Sequence, residues 1–263
     1  MRFKIRLRPL EHTPWLMWNY QYPLSAGLYD IISKADNDYA TFLHDTGYQL
    51  NSRKTFKHFT FSDLRLKIGK SDKNGFQIIS PTVEWTVSFY IDRIAESFII
   101  GLFQDQKLRL FDARFSVTFV VEQIETLAPI AFGDTIRFNA KSSMVIAEKQ
   151  DGLDQYLAPT DVRFGHYLVG GLIDKYLSTQ LDRGIILDPT ISNVPIDFRL
   201  IDAEKAKSRK LTIKAGKSSG TEVRGFRDFV FELKAPREVL EVAYYSGIGK
   251  FCSNGCGFCE VTQ

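Results

Sequence analysis

A chain of 263 residues with 44% hydrophobic and 25% charged side chains has the composition of a globular protein and is long enough for two ordinary domains. Its formal net charge is only +3, so any polyanion it binds must be held by local positive surface rather than by a global pull. The N-terminus is charged at every second position and the longest apolar run, near residues 98–103, is far below bilayer length, so the expected place is cytoplasmic with no membrane partner.

Residues 2–8 alternate strictly, Phe3, Ile5 and Leu7 against Arg2, Lys4, Arg6 and Arg8, which predicts a strand with one buried and one cationic face. Over 23–35, Leu24, Leu28, Ile31, Ile32 and Ala35 share one helical stripe, and Pro23 suits the first turn. Asp36-Asn37-Asp38 supplies cap chemistry for a short second helix expected to bury Tyr39, Phe42 and Leu43. Extended stretches follow near 56–62, 76–80 and 83–90, then a helix over 91–104 and a long strand over 111–121. This order is the split βαβ pattern of a ferredoxin-like domain, assigned to residues 1–125.

After Ala128-Pro129 the pattern approximately returns, with a strand near 135–147, a helix near 161–182 and strands around 196–203, 209–215 and 223–233. A helix opening at Pro236 and a short strand at 257–261 complete it. Residues 126–263 are thus expected to form a second such domain. The predicted fold class is α+β, two tandem ferredoxin-like (βαββαβ) domains.

Gly247, Gly249, Gly255 and Gly257 fall between that last helix and the last strand. Glycine admits positive φ and close approach of another backbone, and clustered N–H groups beside Lys250 make an anion-binding concavity. The helix–loop–strand order is the reverse of a nucleotide-binding P-loop. Taken singly, each glycine is explained by a helix cap or a turn. The cluster as a whole points to binding.

The run Tyr244-Tyr245-Ser246-Gly247-Ile248-Gly249-Lys250, then Ser253-Asn254-Gly255-Cys256-Gly257-Phe258 and the closing Glu260-Val261, resembles the C-terminal signature of the CRISPR repeat-processing (pre-crRNA) endoribonucleases of the RAMP superfamily. Asn19-Tyr20-Gln21-Tyr22-Pro23-Leu24-Ser25, Phe42-Leu43-His44-Asp45, Phe56-Lys57-His58-Phe59-Thr60-Phe61-Ser62 and Ala128-Pro129-Ile130 agree with it, so the resemblance spans nearly the whole chain. It implies cleavage of CRISPR repeat RNA without metal or cofactor. The ribose 2′-hydroxyl would attack the adjacent phosphorus, leaving a 2′,3′-cyclic phosphate and a 5′-hydroxyl. The resemblance puts the catalytic roles on Tyr29, His44 and Lys57. It implies repeat RNA as partner, together with other CRISPR-associated proteins of a surveillance complex.

The residue pattern supports two of the three positions. Tyr29 lies about 120° around its helix from the Leu24–Ile32 stripe, and His44 stands off the Tyr39–Phe42–Leu43 stripe by a similar angle. An imidazole titrates close to neutrality and can accept or donate the proton in such a reaction. Lys57 shares strand parity with Phe59 and Phe61, which points it inward unless the strand begins after it, and His58 on the opposite parity is a rival. His12 and His166 have no supporting context and read as structural.

For RNA contact, the cationic face of the first strand (Arg2, Lys4, Arg6) would line the helix-free side of its sheet. Residues 204–228 carry eight basic against three acidic side chains, Lys210, Lys214 and Arg224 among them, in a hairpin turning at Gly216 and Gly220. From the glycine-rich loop, Gly247, Gly249, Lys250, Asn254, Gly255 and Gly257 are the expected contacts, with Gly255 and Gly257 making room for RNA.

Cys252, Cys256 and Cys259 have the spacing with which radical enzymes hold an iron–sulfur cluster. Only four residues follow Cys259, leaving no room for the usual barrel, and zinc would lack a fourth ligand, so these read as small hydrophobes and no metal site is expected. Two alternatives to the nuclease stay open: a catalytically inactive RNA-binding protein of the same fold and, more remotely, an iron–sulfur enzyme.

Overall fold

The computed structural model describes residues 1–51, 54–185, 194–213 and 220–262. It opens with β1 (Arg2–Pro9), β2 (Trp15–Met17), α1 (Gln21–Ala35) and α2 (Asn37–Thr41), which runs into one turn of π-helix, Phe42–Thr46. Strands β3 (Tyr48–Asn51), β4 (Lys54–Phe56), β5 (Phe59–Phe61), β6 (Ile68–Ser71), β7 (Gly75–Ile78) and β8 (Val83–Phe89) lead to α3 (Asp92–Gln104). The hairpin β9 (Lys107–Phe111) and β10 (Ser116–Thr126) follows. Next come β11 (Thr135–Ala140), β12 (Ala147–Gln150), β13 (Leu153–Tyr156) and α4 (Phe164–Asp182). The chain ends with β14 (Asp197–Asp202), β15 (Lys207–Ile213), β16 (Thr221–Arg227), β17 (Val230–Lys234), α5 (Arg237–Ser246) and β18 (Cys259–Val261).

One antiparallel sheet has the order β5-β8-β1-β10-β9. With β1, β5, β8 and β10 as the four strands of the motif, that is second-third-first-fourth, the ferredoxin-like order with β9 added at an edge. Phe3, Ile5 and Leu7 point, as their spacing predicts, into a core shared with Leu24, Leu28 and Ile32 of α1 and Ile94, Phe98 and Leu102 of α3. Each such fully buried side chain contributes about 1.5–3 kcal/mol, which is what presses the helices onto one face of the sheet. The second sheet, β14-β17-β11-β18, repeats the same order, and α4 and α5 cover it around Phe138, Phe231, Leu168 and Val239.

Several expected elements are corrected. The single strand over 111–121 is a hairpin, because the Asp112 carboxylate accepts the N–H groups of Arg114 and Phe115 and reverses the chain. The strand over 135–147 stops at Ala140; β12 and β13 form their own hairpin around Asp151-Gly152, both at positive φ, the turn an Asp-Gly pair favours. The strand over 223–233 breaks at Asp228 (φ +62°), so β16 pairs with β15 while β17 joins the second sheet. Phe42 is not buried but exposed, stacked on Tyr39 at the surface. The wider π turn, closed by Gly47 N–H on the Phe42 carbonyl, turns Phe42 outward while Leu43 is buried as expected.

The cationic face of β1 is also corrected at one position. Arg2 is 3% exposed, its guanidinium 3.3 Å from the Tyr244 ring centre and 4.4 Å from that of Phe258. It donates to Ser88 Oγ (3.1 Å) and to the Tyr244 carbonyl (2.5 Å). Residue 2 therefore cannot face RNA: the second half of the chain covers this end of the sheet's helix-free face. Farther along the strand Lys4 pairs with Glu125 and Arg8 with Glu122, and Arg6 is exposed.

Candidate active site and RNA cleft

The chain turns at His58, whose φ is +53°, and β5 begins only at Phe59. That break frees Lys57 from the parity of Phe59 and Phe61. Its ammonium donates to the His44 carbonyl at 2.9 Å. His44 sits in the π turn, exposed, with Nδ1 2.7 Å from the Asp45 carboxylate. Its ring meets Tyr29 edge to face, centres 5.3 Å apart, and Tyr29 packs in the same manner on Phe59 at 5.6 Å. Tyr29, His44 and Lys57, from three separate elements, thus form one cluster. Burial pushes the Tyr29 phenol well above its ordinary range, opposed in part by the Ser253 hydroxyl. Burial also lowers the Lys57 ammonium, opposed by the charge of Asp45.

His58 goes elsewhere. It is buried, with Nε2 3.0 Å from Ser178 Oγ and Nδ1 3.2 Å from Ser246 Oγ. Ser178 spends its own proton on the Lys175 carbonyl, so His58 Nε2–H donates to Ser178 and Nδ1 accepts from Ser246. Burial, then the positive charge of Lys175, lowers this imidazole to about 3. It is a neutral tie between α4 and the end of α5.

A cleft of about 520 Å³ runs between the halves, with Lys54, Lys57, Lys175, Lys250, Ser253 and Asn254 on its walls. The glycine-rich loop forms one wall. Lys250 is held there by Asp154 of β13 at 2.8 Å. Lys175, buried beneath the loop, donates to the Gly247 carbonyl (2.5 Å) and lies 3.2 Å from Cys252 Sγ. A larger groove, about 1110 Å³, lies on another side, between α1 and the β9–β10 turn, and contains none of the expected catalytic residues.

The glycines serve the loop itself. A Cβ on Gly257 (φ +69°) would stand 1.9 Å from the Ile248 carbonyl oxygen, and one on Gly255 (φ +77°) 2.4 Å from the Phe61 ring. A Cβ on Gly247 would meet Thr60 and one on Gly249 the Val145 carbonyl. The expectation that Gly255 and Gly257 leave room for RNA is corrected: the protein's own atoms occupy that room.

In the β15–β16 hairpin Lys210 and Arg224 stand directly opposite each other, and Lys210 also reaches Glu222 at 3.3 Å. Like charges so placed repel unless an anion joins them. Lys214 and Gly216 lie outside the described residues. At the hairpin's base Asp63 takes Arg227 at 2.6 Å and Arg209 at 3.4 Å, binding the two halves together.

Cys259 lies in the second core and Cys256 in a small cluster with Val145, Leu211 and Val223, and burial raises both thiols, opposing the thiolate a cluster needs. Among the described residues no three His, Cys, Asp or Glu side chains gather as a metal site, and no helix is long and apolar enough to cross a membrane. Sequence reasoning missed Asp45, Lys175 and Ser253 as parts of the site. The signal for Ser253 was its place in the C-terminal signature, Ser253-Asn254-Gly255.

Two tandem ferredoxin-like halves with a glycine-rich loop seated between them define a RAMP-type protein. The family model described as CRISPR-associated protein Cas6, N-terminal, matches residues 15–122, and that described as CRISPR associated protein Cas6, C-terminal, matches residues 121–261. The chain belongs to the Cas6 family of CRISPR-associated proteins. It is 30% identical over 178 residues to CRISPR-associated endoribonuclease Cas6 1 of Methanocaldococcus jannaschii, a match covering 67% of this chain and 65% of that protein. It is 24% identical over 269 residues to CRISPR-associated endoribonuclease Cas6 of Pyrococcus furiosus, covering 99% and 90%. A solved structure from the characterization of a Cas6-related gene of Pyrococcus furiosus shares the fold, with a TM-score of 0.79 at 20% identity over 100% of this chain and 98% of that one. So does a RAMP protein binding different RNA substrates, at 0.77 and 19% over 100% of both chains.

Proposed function

We propose that this protein cleaves CRISPR repeat RNA by attack of a ribose 2′-hydroxyl on the adjacent phosphorus, with no metal ion, leaving a 2′,3′-cyclic phosphate and a 5′-hydroxyl. The observation that carries the reading is the meeting of Tyr29, His44 and Lys57 beside a cleft whose far wall is the glycine-rich loop. Asp45 on Nδ1 of His44 holds the proton there, so the neutral ring presents the Nε2 lone pair as the base for the 2′-hydroxyl. Tyr29, kept protonated by burial, is a hydrogen-bond donor at the reacting oxygens. Lys57, held at the His44 main chain, offsets charge on the phosphorane. Lys250, Asn254 and the main chain of Gly249 on the cleft wall, with Lys4, Arg6, Lys210 and Arg224 outside it, are the proposed RNA contacts. We place the catalytic part in residues 1–125 and the RNA-holding loop in residues 126–263.

An intramolecular nucleophile is already next to the phosphorus and gains the proximity advantage of a unimolecular step. The test uses the repeat RNA of the host in two arms, with EDTA present throughout. His44→Ala lowers the cleavage rate about 10²–10⁴-fold with little change in affinity, the range of a general acid–base group. A single 2′-deoxy sugar immediately 5′ of the scissile phosphate abolishes cutting and leaves binding intact. Continued cutting of the deoxy substrate at the same place means a water nucleophile and overturns the mechanism. Full activity of His44→Ala overturns the assignment of the base.

A further inference from the structure

We infer that Lys175 is a positioning residue for the RNA backbone, a buried positive charge that draws a phosphate against the glycine-rich loop from beneath. This rests on the cleft being the RNA site, as proposed above. Lys175 stands on α4, is 4% exposed and still forms part of the cleft lining. Its ammonium meets three acceptors, all of them at the end of α5 or on the loop. It donates to the Gly247 carbonyl at 2.5 Å, to the Ser246 carbonyl at 3.5 Å and to Cys252 Sγ at 3.2 Å. The Cys252 thiol in turn gives its own proton to the Gly249 carbonyl at 3.3 Å. One side chain thus clasps both ends of the 246–252 span.

The acceptors explain how a cation is kept there. Ser246 is the last residue of α5 and Gly247 its C-terminal cap, so their carbonyls lie where the helix offers no further N–H and where its dipole favours positive charge. These groups are neutral, so they satisfy the ammonium without cancelling its charge. The other lysines of the cleft differ. Lys54 is paired with Asp174, and Lys250 with Asp154 at 2.8 Å. Among the described residues neither Lys57 nor Lys175 has a carboxylate at ion-pair distance; Lys57 donates to the His44 carbonyl. Four lysines against two carboxylates leave the cleft lining a surplus of two positive charges, and those two are Lys57 and Lys175. Lys57 has its role at the phosphorane. Lys175 lies under the opposite wall, below Lys250 and the main chain of Gly249. Buried from water, its charge is weakly screened and its field is focused into the cleft. It is also fixed by its hydrogen bonds, where an exposed lysine swings on a flexible stem. A phosphate drawn by such a charge carries no base information, so the effect falls on affinity for RNA in general and on its salt dependence.

The test measures Kd for the host repeat RNA and for an unrelated single-stranded RNA between about 50 and 200 mM salt, with melting temperature as a check on folding. Lys175→Met keeps the length of the side chain and removes its charge. Lys175→Gln removes the charge but keeps an N–H for the Gly247 carbonyl, and it carries the same test if the Met variant does not fold. Both variants weaken binding of both RNAs about 5- to 20-fold at the low-salt end. Both also lower the slope of log Kd against log salt by about 0.7, the value for one phosphate neutralised on a single strand. If Lys175→Gln binds both RNAs as tightly as the wild type, the hydrogen bonds matter and the charge does not, and the inference fails. It fails too if Kd weakens with an unchanged salt slope, or if only the repeat RNA is affected. Lys250→Ala separates this inference from the reading of the cleft. Affinity lost in Lys250→Ala but kept in both Lys175 variants overturns the role of Lys175 alone. Unchanged affinity in all three overturns the cleft as the RNA site.

Discussion

At the scale of single residues, two histidines that sequence alone does not separate are distinguished by their surroundings: His44 is exposed beside a carboxylate and His58 is sealed between two serines. The buried one carries a prediction for stability. Its imidazole is lowered from an ordinary 6.5 to about 3, chiefly by burial. Between those values the unfolded chain takes up a proton that the folded chain refuses, so the unfolded state binds more protons and stability falls as the pH falls through this window. From pH 7 to pH 5 this one group removes about 2 kcal/mol. His58→Asn, which tolerates the positive φ and does not titrate, is expected to flatten that part of the curve. The check is urea unfolding of both proteins from pH 7 to pH 4.5; parallel curves would mean that His58 is not a buried neutral imidazole.

At the scale of elements, the glycine-rich loop is a packed object rather than an open cradle. Its two ends close on each other through Ile248 N–H on the Gly257 carbonyl (3.0 Å), and Gly257 N–H bonds the Ser143 carbonyl (3.0 Å). A methyl group at Gly257 would have to displace main chain, at a positive φ that alanine adopts reluctantly. Gly257→Ala is therefore expected to cost roughly 2–5 kcal/mol, a melting-temperature loss on the order of 5–15 °C. Affinity per folded molecule should change less than stability. Calorimetry and RNA titration at a temperature where the variant is folded make the comparison, and an unchanged melting temperature with weakened binding would restore the view of this glycine as room for RNA.

At the scale of the molecule, the two halves are joined by contacts that look like surface features in the sequence. Arg2 opens a strand of alternating cations yet is sealed between Tyr244 and Phe258, where burial pushes its guanidinium down to about 10. Its donors satisfy Ser88 and the main chain at the end of α5. Arg2→Met leaves those acceptors without their charged partner and is expected to cost about 3 kcal/mol, with melting lowered by about 6–12 °C. Arg6→Met, on the exposed part of the same strand, should change melting by no more than about 2 °C. Thermal melts of the two variants decide it, since loss of RNA affinity without loss of stability in Arg2→Met would return residue 2 to the RNA surface.

Local periodicity and composition determined much of this protein. The inward side of β1, the stripe of α1, the cap at Asp36, the order of elements in both halves and the cluster of glycines follow from neighbours a few residues apart, and the motifs around Tyr29, His44 and the C-terminal loop carry the family. Tertiary structure alone decided which side chains those elements bring together. A positive φ at His58 turns Lys57 toward His44, and no parity rule anticipates a break of that kind. Arg2 meets Tyr244 across 242 positions and Ser25 meets Ser253 across 228, distances over which alternation and helical spacing hold no information. Burial and partnership are properties of the packed chain, so the same cationic face is a domain joint at residue 2 and open surface at residue 6.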